Sequence, residues 1–262
     1  PTRPPLSLSP SLPLSLSPSL QHGRRISTNC ALVRAELTYF SICGRGEVAR
    51  LIAAAGEVKI VDNALAPAFD DTGGWNQALK YKEMGAALGF PGVLPLLEHD
   101  DLKIYQTTAI ESYLAAISPK YAGLTPKQKA MDEMFQLIKS DINGTTESLL
   151  FKKIDGEALT AAMAKFYPLV EGLLPEGGAY INGLEFPTPG DIAVMVTAMG
   201  CMPFRAAPQV AGCGPTADKY PKMMALAAKV AAYGPIAAFL AASEHKTLKA
   251  DPFGIMPEEY KA

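Results

Sequence analysis

Two short segments carry side chains that could bind or activate a small molecule. Tyr39 is followed six residues later by Arg45, and the thiol of Cys43 lies between them. A phenol donates a hydrogen bond at neutral pH, and a thiol next to a cation and a helix start becomes a stronger nucleophile. Farther along, Gln106 and Thr107 precede a helical pattern. The unpaired N–H groups at such a helix start attract a carboxylate.

The elements that must position these side chains can be predicted from the surrounding pattern. Residues 35–40 alternate polar and apolar types with a β-branched and an aromatic member, which indicates a short strand. From Glu47 to Ala55 small and aliphatic residues recur at helical spacing. Tyr39 is therefore expected at the carboxyl end of a strand, where open α/β sheets bind their ligands. Leu94-Pro95 starts a second apolar strand, a position where proline costs little.

Composition excludes several classes of function. The 262 residues are 48% hydrophobic, enough for one large or two ordinary domains. A net charge of −2 gives no electrostatic footprint for nucleic acid. Four cysteines and three histidines show neither a CxxC pair nor zinc-ligand spacing, so no metal is expected. No apolar run approaches the ~20 residues of a membrane span.

The first twenty residues are almost wholly Leu, Ser and Pro, so residues 1–35 are expected to form a disordered leader. Its Ser-rich, acid-poor composition is also typical of an organelle transit peptide. The alternatives are a flexible N-terminal extension, or an untranslated region of the message that has been read in frame as protein. Free thiols indicate a reducing compartment, and the cytoplasm is the expected location, with a plastid or mitochondrion as the alternative.

The pattern after Pro126 predicts helices only. Their expected ranges are 127–150, 157–173, 191–198 and 222–241, separated by Gly and Pro. Thr188-Pro189-Gly190-Asp191 is a strong helix start, with a Thr N-cap, Pro at the first helical position and an acid at the third.

These segments together resemble the glutathione S-transferases, and within them the sigma-like group, whose first motif reads Leu-Thr-Tyr-Phe and then Gly-Arg. The resemblance runs from about Glu36 to the C-terminus. It implies an α/β plus all-α fold, with a thioredoxin-like βαβαββα domain at 36–118 that binds glutathione. An all-helical domain at 124–262 would carry the electrophile site.

The resemblance also implies roles for single residues. Tyr39 matches the catalytic tyrosine that donates to the glutathione sulfur, and Arg45 matches an arginine that gives electrostatic help. Leu94, before a cis Pro95, matches the residue whose backbone pairs with the cysteinyl part of glutathione. The pair Gln106-Thr107 matches the one that holds the γ-glutamyl carboxylate, although the family usually has Ser at the second position.

Three further residues complete the implied site. Trp75 matches a tryptophan near the glycyl end of glutathione, and Lys80 or Lys82 matches its lysine. Asp141 falls where sigma-like enzymes place an aspartate that reaches the glutathione of the other subunit, which implies a homodimer.

The predicted activity is conjugation of the glutathione thiolate to apolar electrophiles, a detoxification reaction with glutathione as co-substrate and no cofactor. Two alternatives stay open. Cys43 could serve a glutathione thioltransferase, although such enzymes place the cysteine at or next to the tyrosine position. The chain could also be a non-catalytic member, either a crystallin-like protein or a carrier of apolar ligands.

Overall fold

The sheet that positions the candidate site is built around β1 (Ala35–Phe40). The computed structural model describes residues 34–65, 92–150, 155–199, 208 and 211–243. In it, β1 pairs in parallel with β2 (Ile60–Leu65) and antiparallel with β3 (Leu96–His99). β4 (Leu102–Tyr105) pairs antiparallel with β3, so the strand order is β2-β1-β3-β4. A parallel pair needs a crossover, and α1 (Glu47–Ala55) lies between β1 and β2 in the chain.

Burial along α1 explains why this helix packs on the sheet. Its aliphatic residues Leu51 and Ile52 lie in one core with Leu37 of β1. In the middle of the helix, the guanidinium of Arg50 is buried, and it donates to Asp62 at 2.7 Å and to the carbonyl of Ile42 at 2.9 Å. A charge this deep is tolerated because it is paired and hydrogen-bonded. Arg50 thus ties α1 to β2 and to the segment after β1.

The described residues after β4 contain helices and no strand. These helices are α2 (Thr107–Ile117), α3 (Pro126–Leu150), α4 (Gly156–Leu173), α5 (Pro189–Met199), α6 (Pro221–Ala231) and α7 (Gly234–Ala242). The central helix is α5, which is buried almost throughout and packs against α1, α3 and α6. The helical part is therefore joined to the sheet layer through shared core packing.

The start of α5 is fixed as the sequence predicts. Thr188 is its N-cap, and the backbone N–H of Thr188 donates to the Asp191 carboxylate at 2.8 Å. A second acid, Asp132 of α3, accepts from the Thr188 hydroxyl at 2.6 Å and from the Gly190 N–H at 3.0 Å. The other Asp132 oxygen is buried with no hydrogen-bond partner among the described residues. Burial is the main reason that the pKa of Asp132 is raised to about 6.

The prediction of one helix over 222–241 is wrong. The chain forms α6 and α7, which meet at a bend of 77°. Pro235 has no N–H and its ring would clash with the preceding turn, so it cannot continue α6. It lies instead in the first turn of α7, where a missing N–H costs little.

Within the described ranges, no single helix has the length and apolar character needed to cross a membrane. α6 and α7 meet the criterion only when taken together across their bend.

The predicted fold class is confirmed: a thioredoxin-like N-terminal domain is followed by an all-helical domain. Most helix bounds agree with the sequence to within two residues. The second helix of the βαβαββα pattern falls on residues 66–91, outside the described residues. Of the predicted leader 1–35, residues 1–33 also lie outside them, and Ala35 is the first residue of β1. The domain boundaries 36–118 and 124–262 stay a prediction.

Candidate functional site

Tyr39 lies near the end of β1 with its side chain only 6% exposed. Its phenolic oxygen accepts a hydrogen bond from the backbone N–H of Arg45 at 3.0 Å. Burial raises the pKa of Tyr39 to about 12, so the phenol is protonated at neutral pH. A phenolic oxygen carries one proton of its own. Because the Arg45 N–H approaches that oxygen from one side, the hydroxyl proton points away from it.

The turn that supplies this N–H is a 3₁₀ turn, Gly44–Gly46. A Cβ placed on Gly46 would lie 2.6 Å from Cδ1 of Tyr39, and one on Gly44 would lie 2.6 Å from its hydroxyl oxygen. Gly44 also has a φ of +45°, a conformation that side chains disfavour. Both positions require glycine because the turn packs directly on the tyrosine ring.

The side chain of Arg45 reaches across to the helical part of the chain. Its Nε and Nη2 atoms each donate to the Glu147 carboxylate of α3 at 2.6 Å. The Arg45 and Glu147 side chains are 29% and 23% exposed. Such a two-bond guanidinium–carboxylate pair fixes geometry as well as charge. Sequence reasoning missed Glu147, and nothing in its local pattern marks it.

Arg50 was also missed, although a signal existed. It stands alone in the apolar run of α1, where an arginine must find partners. Its guanidinium carbon lies 5.7 Å from the centre of the Tyr39 ring, and Nη2 donates to the Phe40 carbonyl at 3.2 Å. Arg50 of α1 therefore stabilises the carboxyl end of β1.

The sheet register brings the other predicted residues to the same edge. Leu96 is at the last pair of both the β1–β3 and the β3–β4 ladders. Beyond it stand Tyr39 on β1, Pro95 just before β3 and Gln106 just after β4. With strands ~4.8 Å apart, their backbones span about 10 Å, the length of an extended tripeptide. Leu94 packs against the cluster that contains Tyr39.

The two backbone features predicted at this edge are present. The Leu94-Pro95 peptide bond is cis. Thr107 is the first residue of α2, and its N-cap Gln106 forms no side-chain capping bond. Gln106 has a φ of 79°, which costs a non-glycine residue about 1–3 kcal/mol. Strain of this kind is concentrated at ligand sites, and the first N–H groups of a helix have no partner within it.

The remaining predicted residues are placed less centrally. Cys43 is half-buried, precedes the Gly44–Gly46 turn and contacts the Tyr39 cluster. Asp141 is exposed on α3. Trp75 and Lys80, with its alternative Lys82, lie outside the described residues. In the part of the chain that is described, no cluster of three or more His, Cys, Asp or Glu side chains is arranged to hold a metal ion.

Several solved structures are similar to this chain over most of its length. A nematode-specific glutathione S-transferase of Caenorhabditis elegans is 26% identical over 80% of this chain and 97% of its own, with a TM-score of 0.62. A glutathione S-transferase of the hookworm Necator americanus, described as monomeric, is 23% identical over 80% and 97%, with a TM-score of 0.61. Rat hPGDS in complex with a quinoline is 20% identical over 80% and 97%, also with a TM-score of 0.61.

No protein-family model and no curated protein sequence matches the chain. The likeness to solved structures covers both the sheet and the helices, and all three neighbours have nearly their full length matched. The chain therefore has the fold of the glutathione S-transferases.

Proposed function

We propose that this protein is a glutathione transferase of the sigma-like group in which Tyr39 donates a hydrogen bond to the glutathione sulfur. One observation carries the proposal: the Arg45 N–H occupies one acceptor position of the Tyr39 hydroxyl at 3.0 Å. The hydroxyl proton is then directed to the opposite side. A pKa of about 12 keeps that proton in place at neutral pH.

The energy that Tyr39 must supply is modest. The reacting species is the thiolate, and a free thiol has a pKa of ~8.5. Lowering it by about two units requires roughly 2.7 kcal/mol at ~1.36 kcal/mol per unit. A single hydrogen bond to a charged group supplies ~1.5–3 kcal/mol. Tyr39 alone could thus account for most of the shift, with electrostatic help from the Arg45 segment.

The same edge offers contacts for the rest of glutathione. The α2 N-terminus at Gln106-Thr107 would hold the γ-glutamyl carboxylate, because its N–H groups and dipole favour an anion. The backbone of Leu94 would pair with the cysteinyl part. Trp75 and Lys80 would contact the glycyl end. An apolar electrophile would then approach the sulfur from the side of the helical domain.

The experiment is to measure the conjugation rate against pH for wild type and Tyr39→Phe, with a generic chloronitroaromatic substrate. The variant deletes one donor and keeps the ring. Glutathione should still bind, its bound thiol pKa should rise by about one to two units, and the rate at pH 7 should fall about ten- to hundredfold. Raising the pH should restore much of the rate because hydroxide then supplies the thiolate.

The matched control is Cys43→Ser, which should leave conjugation nearly unchanged. Loss of activity in Cys43→Ser, with Tyr39→Phe unaffected, would replace the proposal with a thioltransferase. No conjugation of any electrophile by the wild-type protein would favour a non-catalytic role.

We also propose that the protein is a two-fold homodimer in which Asp141 reaches the glutathione of the partner subunit. In support, Asp141 is exposed one helical turn after Leu137, whose side chain is 50% exposed on the same helix. An apolar side chain beside an acid on an open helix face fits a subunit contact.

A further inference from the structure

The ion pair between Arg45 and Glu147 lies beside the Tyr39 hydroxyl and is partly open to solvent. The Arg45 backbone N–H touches the hydroxyl, and its side chain ends at Glu147. The guanidinium is therefore within one arginine side chain of the position where the glutathione sulfur would sit. If the electrophile approaches the sulfur from the side of the helical domain, as proposed above, it lies near both charges.

An arginine in this place would ordinarily favour anionic substrates. The planar guanidinium matches a carboxylate through two parallel N–H donors, and it stays charged at any working pH. In this chain, the fork formed by Nε and Nη2 is already filled by Glu147, with both bonds at 2.6 Å. The pair is neutral overall, and both side chains are partly open to solvent.

We propose that Glu147 is a specificity-determining residue that makes the site select uncharged electrophiles over carboxylate-bearing ones. This inference rests on the proposed transferase function. A substrate carboxylate finds the Nε and Nη2 donors of Arg45 occupied by Glu147 and meets the like charge of that acid. Discrimination between ligands arises from such unfavourable contacts as much as from favourable ones.

The charge of Glu147 also acts on the Tyr39 hydroxyl at the reaction centre. Among the groups that act on the Tyr39 hydroxyl, Glu147 opposes ionisation whereas Arg45 favours it. Glu147 likewise repels an incoming anion, whereas Arg45 attracts it. Removing the acid alone would leave Arg45 as an uncompensated cation beside the sulfur.

The test compares chlorodinitrobenzene with chlorodinitrobenzoate. In both reactions the glutathione sulfur forms a bond to the ring carbon, and chloride leaves with the electron pair of the carbon–chlorine bond. The measured quantity is the ratio of kcat/KM for the benzoate to that for the benzene. Glu147→Gln keeps the size of the side chain and removes its charge. The ratio should rise about tenfold, equivalent to ~1.4 kcal/mol, and the rise should shrink at high ionic strength.

Glu133→Gln is the matched control, because Glu133 is exposed on the same helix and the substitution makes the same chemical change as Glu147→Gln. It lies 14 residues earlier, which is about 21 Å along the helix at ~1.5 Å per residue. Its ratio should equal that of the wild type. In the double variant Arg45→Met with Glu147→Gln, the rise should disappear, since the gain depends on the freed guanidinium.

The outcomes separate this inference from the function it rests on. If the wild type and Glu147→Gln both conjugate the neutral electrophile and the ratio is the same in the two, the role of Glu147 is overturned and the transferase function stands. If the wild type conjugates neither electrophile, both proposals fail. Circular dichroism checks folding, and Glu147→Ala, with the same expected rise, replaces Glu147→Gln if that variant does not fold.

Discussion

The backbone N–H of Arg45, the middle residue of the Gly44–Gly46 turn, donates to the phenolic oxygen of Tyr39 at 3.0 Å, so the turn fixes the position of that hydroxyl. The bond is possible because Gly44 and Gly46 let the turn lie against the ring. The direction of the hydroxyl proton therefore depends on the turn as much as on the tyrosine.

Gly46→Ala should impair conjugation. A Cβ at this position would lie 2.6 Å from the Tyr39 ring, so the ring or the turn must move. We expect a stability loss of about 1–3 kcal/mol and a drop in kcat/KM of about tenfold or more. Chemical denaturation and steady-state kinetics measure the two effects.

Gly144→Ala is the matched control for that substitution. Gly144 lies within α3, and a Cβ there meets nothing within 4 Å. The change should stabilise the protein by about 0.5–1 kcal/mol because alanine favours a helix over glycine. Equal kinetics for Gly46→Ala and wild type would show that the turn does not position Tyr39.

Asp132→Asn should flatten the dependence of stability on pH. The folded pKa of Asp132, about 6, exceeds its ordinary value of 3.8. The protonated form is thus favoured by folding, and its contribution is fully present below pH 4 and is lost as the pH rises through 6. At ~1.36 kcal/mol per unit, the loss is on the order of 3 kcal/mol, and the variant should not show it.

Urea unfolding at several pH values between 4 and 8 checks this expectation. Asparagine keeps an oxygen for the Thr188 hydroxyl and the Gly190 N–H, so α5 stays capped. Glu133→Gln, an exposed neighbour on α3, should keep the wild-type slope. A slope in Asp132→Asn equal to that of the wild type would contradict the raised pKa.

Lys139→Met should destabilise the protein by about 3–5 kcal/mol, because it leaves the buried carboxylate of Glu111 without its cationic partner. Glu111 of α2 is fully buried and bonds to Lys139 and to Gln136 of α3, the latter at 3.0 Å. Burial raises the pKa of Glu111, as expected for a carboxyl group shielded from water. Thermal and urea denaturation give the loss.

Two comparisons sharpen that measurement. The double variant Glu111→Leu with Lys139→Met should recover most of the loss, since apolar groups replace the whole pair. Lys103→Met should cost under about 1 kcal/mol, because the Lys103–Glu98 bridge is exposed on the sheet. A double variant as unstable as Lys139→Met would show that the damage is not electrostatic.

Light scattering should give a dimer at micromolar concentration, as the proposed role of Asp141 requires. Asp141→Asn should then weaken glutathione binding, while the protein stays dimeric and folded. The expected loss is about three- to tenfold, the value of a partly exposed charged contact. A monomer that binds glutathione with wild-type affinity would remove the basis for that role.

Local signals account for what the sequence predicted well. The alternation in β1, the helical spacing in α1 and the Thr188 N-cap are each decided within a few residues. The sheet register brings Tyr39, Pro95 and Gln106 to the same edge, and the roles that the resemblance implies for them stay a prediction. The break before Pro235 was missed although its signal is also local, because the apolar spacing runs on through it.

Long-range partners account for what the sequence did not predict. Arg45 and Glu147 are 102 positions apart, and Glu111 and Lys139 are 28 apart. An acid on a polar helix, such as Asp132, is typical of a solvent-facing residue, and packing against α5 buries it. Charged pairs that form across elements leave no periodic pattern.

Because Arg45 bonds to an acid of α3, the sheet and the helices of this chain cannot be exchanged independently of each other. The turn that orients Tyr39 is fastened by an acid from the helical half, and the buried Glu111–Lys139 pair joins α2 to the same helix. A chimera that combines the sheet of this chain with the helices of a relative lacking these acids and bases would leave unmatched charges at the seam. The two halves have to be inherited, or engineered, as one unit.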